Sequence, residues 1–121
     1  MSSLGGFLMI NIVLFCSTGL STNLLVKKME QTAKEKDLKI QVASYPESAM
    51  KKYIKDADVV LVGPQVRHAL LEIKEVCDAH QVPLETISTK DYGSMDGEKI
   101  LSQALRLFSL HHPADDSEEQ Q

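Results

Sequence analysis

Four short apolar runs set the frame of this chain: Met9–Phe15 (MINIVLF), Ile40–Ala43 (IQVA), Asp58–Val62 (DVVLV) and Val82–Ile87 (VPLETI). The first is rich in β-branched residues and unbroken rather than alternating. That is the pattern of a parallel strand covered on both faces. Helical stretches separate the runs. Ser21–Lys36 is the first, with Ser21 or Thr22 able to cap it through a hydroxyl. Glu47–Ile54 is short. Gln65–His80 carries Val66, Ala69, Leu70, Ile73, Val76 and Cys77 on one face. Ser88–Met95 reads as a loop, and Asp96–Leu110 as the last helix, with Asp96 as its cap. Strands alternating with helices at this spacing imply right-handed βαβ units. The expected fold is a three-layer α/β/α domain around a four-stranded parallel sheet.

In such folds ligands bind beyond the carboxyl ends of the strands, where the strand order reverses. Strand one is the expected switch strand, and Cys16 is the first residue past its end. The totals narrow the function. The 121 residues make one domain the default. A formal net charge of −4 without a basic block argues against nucleic acid, whose phosphates call for a positive stripe. Cys16 and Cys77 form neither a zinc pattern nor a disulfide framework, which fits a reducing cytosol. No charge precedes Lys27, yet a basic n-region and a small-residue cleavage site are both missing, so the early apolar residues read as a buried strand. The expected organisation is an extension over 1–8, a domain over 9–110 and an acidic, disordered tail over 111–121.

The loop Cys16-Ser17-Thr18-Gly19-Leu20-Ser21-Thr22 joins a strand's end to a helix's start. N–H groups in the first turn of a helix lack intrahelical partners and, with the dipole, attract anions. Gly19 lets successive N–H groups converge, and Ser17, Thr18, Ser21 and Thr22 add hydroxyls. The same field is expected to depress the Cys16 thiol, giving an activated nucleophile in a phosphate cradle. The plain alternative is a buried structural cysteine before an ordinary turn. A Cys-x5-Arg phosphatase loop would place its arginine at position 22, where Thr22 stands. Without that guanidinium fork, bidentate clamping of a phosphoryl group is lost. Slow hydrolysis suits a carrier, whose thiophosphate must survive until an acceptor arrives.

These residues resemble a family. Cys16-Ser17-Thr18-Gly19-Leu20-Ser21-Thr22-Asn23-Leu24-Leu25-Val26 and Lys28-Met29 are similar to a stand-alone enzyme IIB of the bacterial sugar phosphotransferase system, lactose/cellobiose (diacetylchitobiose) class. Val62-Gly63-Pro64-Gln65-Val66, Asp91-Tyr92-Gly93 and Met95-Asp96-Gly97 extend the resemblance, which runs from about Met9 to Leu110. It implies a topology like that of low-molecular-weight tyrosine phosphatases and flavodoxins. It also implies a relay: a phosphohistidine on enzyme IIA phosphorylates Cys16, the loop holds the phosphate, and the group passes to a sugar entering through permease IIC. No cofactor or metal is implied. The protein would be a cytoplasmic monomer, transiently at the inner face of the membrane with IIC, and the sugar would be chosen by the permease. The rivals are a small cysteine phosphatase or arsenate reductase, and a flavodoxin-like binding module without chemistry.

Other residues have two readings each. Gln65 either borders the docking face or merely follows a strand stop with Pro64 near N1. Tyr92 either covers the site or anchors its loop. Asp91 is given no catalytic role, because a phosphohistidine's imidazole leaves readily. Cys77 reads as core packing. His68, His80, His111 and His112 lack metal spacing and read as solvated, as does the Lys27-Lys28 pair, unless it steers an acidic partner.

Overall fold

The computed structural model describes residues 9–16 and 20–111. Its strands are β1 (Ile10–Phe15), β2 (Ile40–Tyr45), β3 (Val59–Val62) and β4 (Leu84–Thr86), all parallel, in the spatial order β2-β1-β3-β4. The helices are α1 (Leu20–Glu35), α2 (Met50–Tyr53), α3 (Leu70–Ala79), α4 (Thr89–Gly93) and α5 (Gly97–His111). Three-residue 3₁₀ turns flank α2. β1 is central. α1 leads from it to β2 on one side, and the chain then crosses back to β3 on the other. The reversal of strand order therefore falls at β1, as the sequence implied.

Alternation along β1 sorts its side chains between two layers. Ile12, Leu14 and Cys16 face the layer of α1 and α5, among Leu25, Met29, Ile100, Leu101 and Ala104. Val13 and Phe15 face the opposite layer, among Met50, Ile54, Ile73 and Cys77. Leu25, Met29 and Ala33 recur every four residues on α1, so one stripe is buried and the rest of the helix is wet. α5 approaches α1 closely at its start. A Cβ at Gly97 would lie 2.8 Å from Lys28 Cβ and 3.0 Å from the Lys28 carbonyl carbon.

Three helices stop in the same way. Asp37, Gln81 and Met95 take left-handed φ values of 59°, 59° and 55°. The next N–H in each case reaches back five residues: Leu38 to Ala33 (2.8 Å), Val82 to Cys77 (2.9 Å) and Asp96 to Asp91 (3.1 Å). This closes otherwise unpaired carbonyls at the helix end.

The structure corrects four local expectations. Ser88–Met95 is not a loop: Ser88 Oγ accepts the Asp91 N–H at 3.0 Å and starts α4. Gln65–His80 is not one helix, because Pro64–Ala69 is a 3₁₀ segment kinked at Val66 (φ −108°, ψ 28°) and α3 begins only at Leu70. Ser21 and Thr22 do not cap α1, which already begins at Leu20. α5 extends through His111, whose Nε2 lies 2.9 Å from the Gln81 carbonyl oxygen. The expected cap Asp96 is in place, its Oδ1 accepting the Lys99 N–H at 3.0 Å. The expected extension over 1–8 and the tail from His112 onward lie outside the described residues.

Candidate functional site

The carboxyl edge of the sheet is tied together just where the thiol emerges. The Gly63 N–H donates to the Phe15 carbonyl at 2.9 Å, the Cys16 N–H to Tyr45 at 3.4 Å and the Ile87 N–H to Val62 at 2.8 Å. Cys16 therefore leaves β1 with its backbone held by both neighbouring strands. Its side chain continues the Ile12–Leu14 face and is only 2% exposed. No disulfide involves it.

Three described groups surround the sulfur. The Thr22 and Tyr92 hydroxyls both hydrogen-bond the thiol, and their own oxygens are 2.9 Å apart. The third is the Gly63 N–H, which it shares with the Phe15 carbonyl. Gly63 also forms a wall, since a Cβ there would sit 3.0 Å from Sγ. Its φ of −70° and ψ of 156° are open to any residue, so glycine is needed here for space and not for conformation.

Burial pushes the Cys16 thiol up. Hydrogen bonds from Tyr92, Thr22 and Gly63 pull the other way without overcoming it. This reverses the depressed thiol expected from the loop. That expectation counted the favourable field of a helix start but not the desolvation of a nearly enclosed sulfur. Burial therefore favours the protonated thiol over the thiolate at this site.

Of the cradle residues, Ser17, Thr18 and Gly19 lie outside the described residues, as do the side chains of Leu20 and Ser21. Thr22 is described, and it is 4% exposed, packed against the sulfur and Tyr92. Tyr92 anchors α4 in the core at 8% exposure, and its hydroxyl hydrogen-bonds the thiol. Gln65 is exposed in the turn after β3, and its Oε1 lies over Gly63, 2.7 Å from where a Cβ would be. Beside Gly63 a crevice of about 230 Å³ opens between the ends of β3 and β4, with Arg67, Ser88 and Thr89 in its wall. Cys77 is fully buried, its thiol pushed up to about 12 first by burial and then by Asp78. His68 is not simply solvated, since its Nε2 is 3.0 Å from Glu47 Oε2.

A family model described as PTS system, Lactose/Cellobiose specific IIB subunit, matches residues 11–103. The chain belongs to this family. Relatives at 31–35% identity are phosphotransferase-system components of similar length. It is 35% identical to the oligo-beta-mannoside-specific EIIB component of Bacillus subtilis, over 80% of this chain and 94% of that one. To the cellobiose-specific EIIB component of Lactococcus lactis subsp. lactis it is 31% identical, over 81% and 95%. The solution structure of a cellobiose-specific IIB component from Borrelia burgdorferi superposes with a TM-score of 0.76 at 35% identity, covering 88% of this chain and 97% of that one. The lactose-specific IIB domain from Streptococcus pneumoniae matches at 0.75 with 16% identity, over 83% and 98%, and shares the fold. As a IIB component the protein is a phosphotransferase that carries a phosphoryl group toward a sugar. The three-layer fold and the family resemblance read from the sequence are thus both shown.

Proposed function

We propose that Cys16 is the atom that carries the phosphoryl group, receiving it from a phosphohistidine of a IIA component and passing it to a sugar hydroxyl at a IIC permease. The observation that carries this reading is the position of Cys16. It is the first residue beyond the central strand, at the reversal of strand order, with hydroxyl and N–H donors on its sulfur. In the first step the sulfur attacks phosphorus in line, the S–P bond forms and the N–P bond breaks. The thiol proton ends on the imidazole nitrogen that leaves. In the second step the sugar oxygen attacks, the O–P bond forms and the S–P bond breaks, and the hydroxyl proton restores the thiol. Ser17, Thr18, Gly19, Leu20, Ser21 and Thr22 make up the loop assigned to the phosphate oxygens through their N–H groups.

Among the described residues no helix is long and apolar enough to cross a membrane. A carrier that shuttles between a protein donor and a permease would work in the cytoplasm, as a monomer, and meet the membrane only at IIC. A lactose-specific EIICB component of Lacticaseibacillus casei matches this chain over 14% of its own length. That fusion supports IIC as the second partner. The relatives are named for oligo-beta-mannosides, galactose, cellobiose and lactose, so the sugar is left to the permease.

The test is incubation with a phosphorylated IIA component of a cellobiose-class system, followed by mass spectrometry. Addition of one HPO₃ group, mapped by peptide to Cys16, is the expected result. An unlabelled protein would overturn the reading. Rapid turnover of p-nitrophenyl phosphate would favour the phosphatase alternative instead.

A further inference from the structure

The geometry points to Tyr92, backed by Thr22, as the hydrogen-bond donor that supports the Cys16 sulfur as it takes on negative charge when the phosphoryl group departs. The inference rests on Cys16 being the carrier and adds a role for a residue 76 positions away in the chain. As the S–P bond lengthens, the bonding pair stays on sulfur, and the charge must be met inside a nearly dry pocket. A charge that develops in such a place is stabilised by dipoles already aimed at it.

Three described groups hydrogen-bond the sulfur, and they are not equivalent. The Gly63 N–H is already committed to the Phe15 carbonyl at 2.9 Å, and its direction is fixed by the sheet. The two hydroxyls can rotate about their C–O bonds. Either hydroxyl can donate across the 2.9 Å between them; when Thr22 donates to the Tyr92 oxygen, the Tyr92 O–H is left to point at Sγ and Thr22 supports the sulfur through Tyr92. In that arrangement each bond polarises the next. A phenol is also a more acidic donor than an aliphatic hydroxyl or an amide, and it responds most to a nascent thiolate.

The position of the phenol is built into the fold. Ser88 caps α4, the Tyr92 N–H bonds the Ser88 carbonyl at 3.0 Å, and the left-handed Met95 closes the helix behind it. The ring is seated in the core cluster that contains Leu14, Leu25 and Cys16. A residue that only filled this space would need no hydroxyl, and phenylalanine would serve.

The experiment compares Tyr92→Phe and Thr22→Val with the wild type in two ways. The first follows the Cys16 ¹³Cβ shift by NMR against pH. Removal of the Tyr92 hydroxyl should move the thiol's titration to higher pH, and Thr22→Val should do the same to a smaller extent. The second loads each protein with phosphoryl group, adds unphosphorylated IIA component and measures return of the group by rapid quench. Tyr92→Phe should slow that departure by about tenfold or more, as expected for loss of a hydrogen bond to a charged group. A Tyr92→Phe protein with an unmoved titration and unchanged departure rate would overturn the assignment, as would a titration moved to lower pH. The titration needs no partner. If even the wild type accepts no phosphoryl group, the carrier reading fails, while the titration still decides whether Tyr92 supports the sulfur.

Discussion

Alanine at position 63 is expected to separate the chemistry from the fold. The backbone there is ordinary extended chain, so alanine brings no strain of its own. It brings a methyl group 2.7 Å from Gln65 Oε1, 3.0 Å from Cys16 Sγ and 3.5 Å from Cys16 Cβ. The Gln65 carboxamide is the exposed end of a flexible side chain and can swing away at little cost. The sulfur is enclosed and must give by a few tenths of an ångström. Overpacking a buried site costs about 1–3 kcal/mol. One tight contact with a movable neighbour belongs at the lower limit, about 1 kcal/mol, or roughly 4–5 °C in Tm for a domain near this size. Transfer should suffer more, because the methyl group crowds the atom proposed to form the S–P bond. A misplacement of about 1 Å can cost on the order of 100-fold in rate, so a shift of a few tenths should cost about tenfold.

Gly97→Ala is the matched control. Its methyl would meet Lys28 Cβ at 2.8 Å, the Lys28 carbonyl carbon at 3.0 Å and the Met29 nitrogen at 3.1 Å. Backbone cannot swing aside, so α5 must move off α1. The cost of about 1–3 kcal/mol exceeds the helix-propensity gain of at most about 1 kcal/mol. The assay is rapid-quench labelling by phosphorylated IIA component, normalised to folded protein, beside a thermal melt. Gly63→Ala should melt only a few degrees below the wild type and label slowly; Gly97→Ala should melt lower still and label normally. Labelling of Gly63→Ala at the wild-type rate would refute the reasoning.

The remaining predictions concern both thiols and one helix cap. Cys16→Ser should fold, since Tyr92 and Thr22 can partner a hydroxyl as well as a thiol, but should take no label from phosphorylated IIA component. Cys77→Ser puts a hydroxyl into a fully apolar site and should lose about 1–3 kcal/mol in urea unfolding, with labelling of folded molecules retained. The Cys77 thiol holds its proton to about pH 12 in the fold, against a usual value of 9.0. The native state then binds more protons than the unfolded chain. This contribution is complete below pH 9 and is lost as pH rises toward 12, at about 1.4 kcal/mol per unit. Urea midpoints followed upward through pH 9 should fall less steeply in Cys77→Ala than in the wild type. Asp96→Ala removes the acceptor for the Lys99 N–H and should lower the unfolding free energy by about 0.5–2 kcal/mol.

Much of the fold was legible because it follows from local pattern. The β-branched run of β1 announced a buried central strand. The end of that run put Cys16 at the carboxyl edge of the strand, and the spacing of strands and helices implied a parallel sheet. The short helix α4 was missed, although Ser88 followed three residues later by Asp91 is a helix-start signal. No apolar periodicity is visible over five residues, so the loop reading won. The kink at Val66 arises where Pro64 opens a tight turn before α3, and continuous apolar spacing conceals it. The Thr22–Tyr92 bond spans 70 residues and exists only because α4 folds back over the start of α1. Periodicity has no means of reporting such a pair. The thiol's direction of shift was misread for a related reason: the expectation rested on a local helix start, whereas the desolvation comes from segments distant in sequence meeting around the sulfur.

A neutral, enclosed thiol suits a carrier better than a standing thiolate would. A cysteine phosphatase needs its anion before the substrate arrives, because a phosphate ester's oxygen is a poor leaving group and water must later attack the thiophosphate. A phosphohistidine donor brings its own solution, since its imidazole leaves readily and can keep the proton that the thiol gives up. Between transfers the protonated sulfur is shielded from oxidants and electrophiles that react with thiolates. On a phosphorylated Cys16, as proposed, the same enclosure would work against hydrolysis. The position where a phosphatase keeps its arginine is occupied by a buried threonine that is turned to Tyr92, so no guanidinium from that position grips the equatorial oxygens. Burial raises the thiol and would by itself make the sulfur a reluctant leaving group. The Tyr92 and Thr22 hydroxyls oppose that tendency, and with Cys16 as the proposed carrier the balance between the two would decide how readily the phosphoryl group moves on.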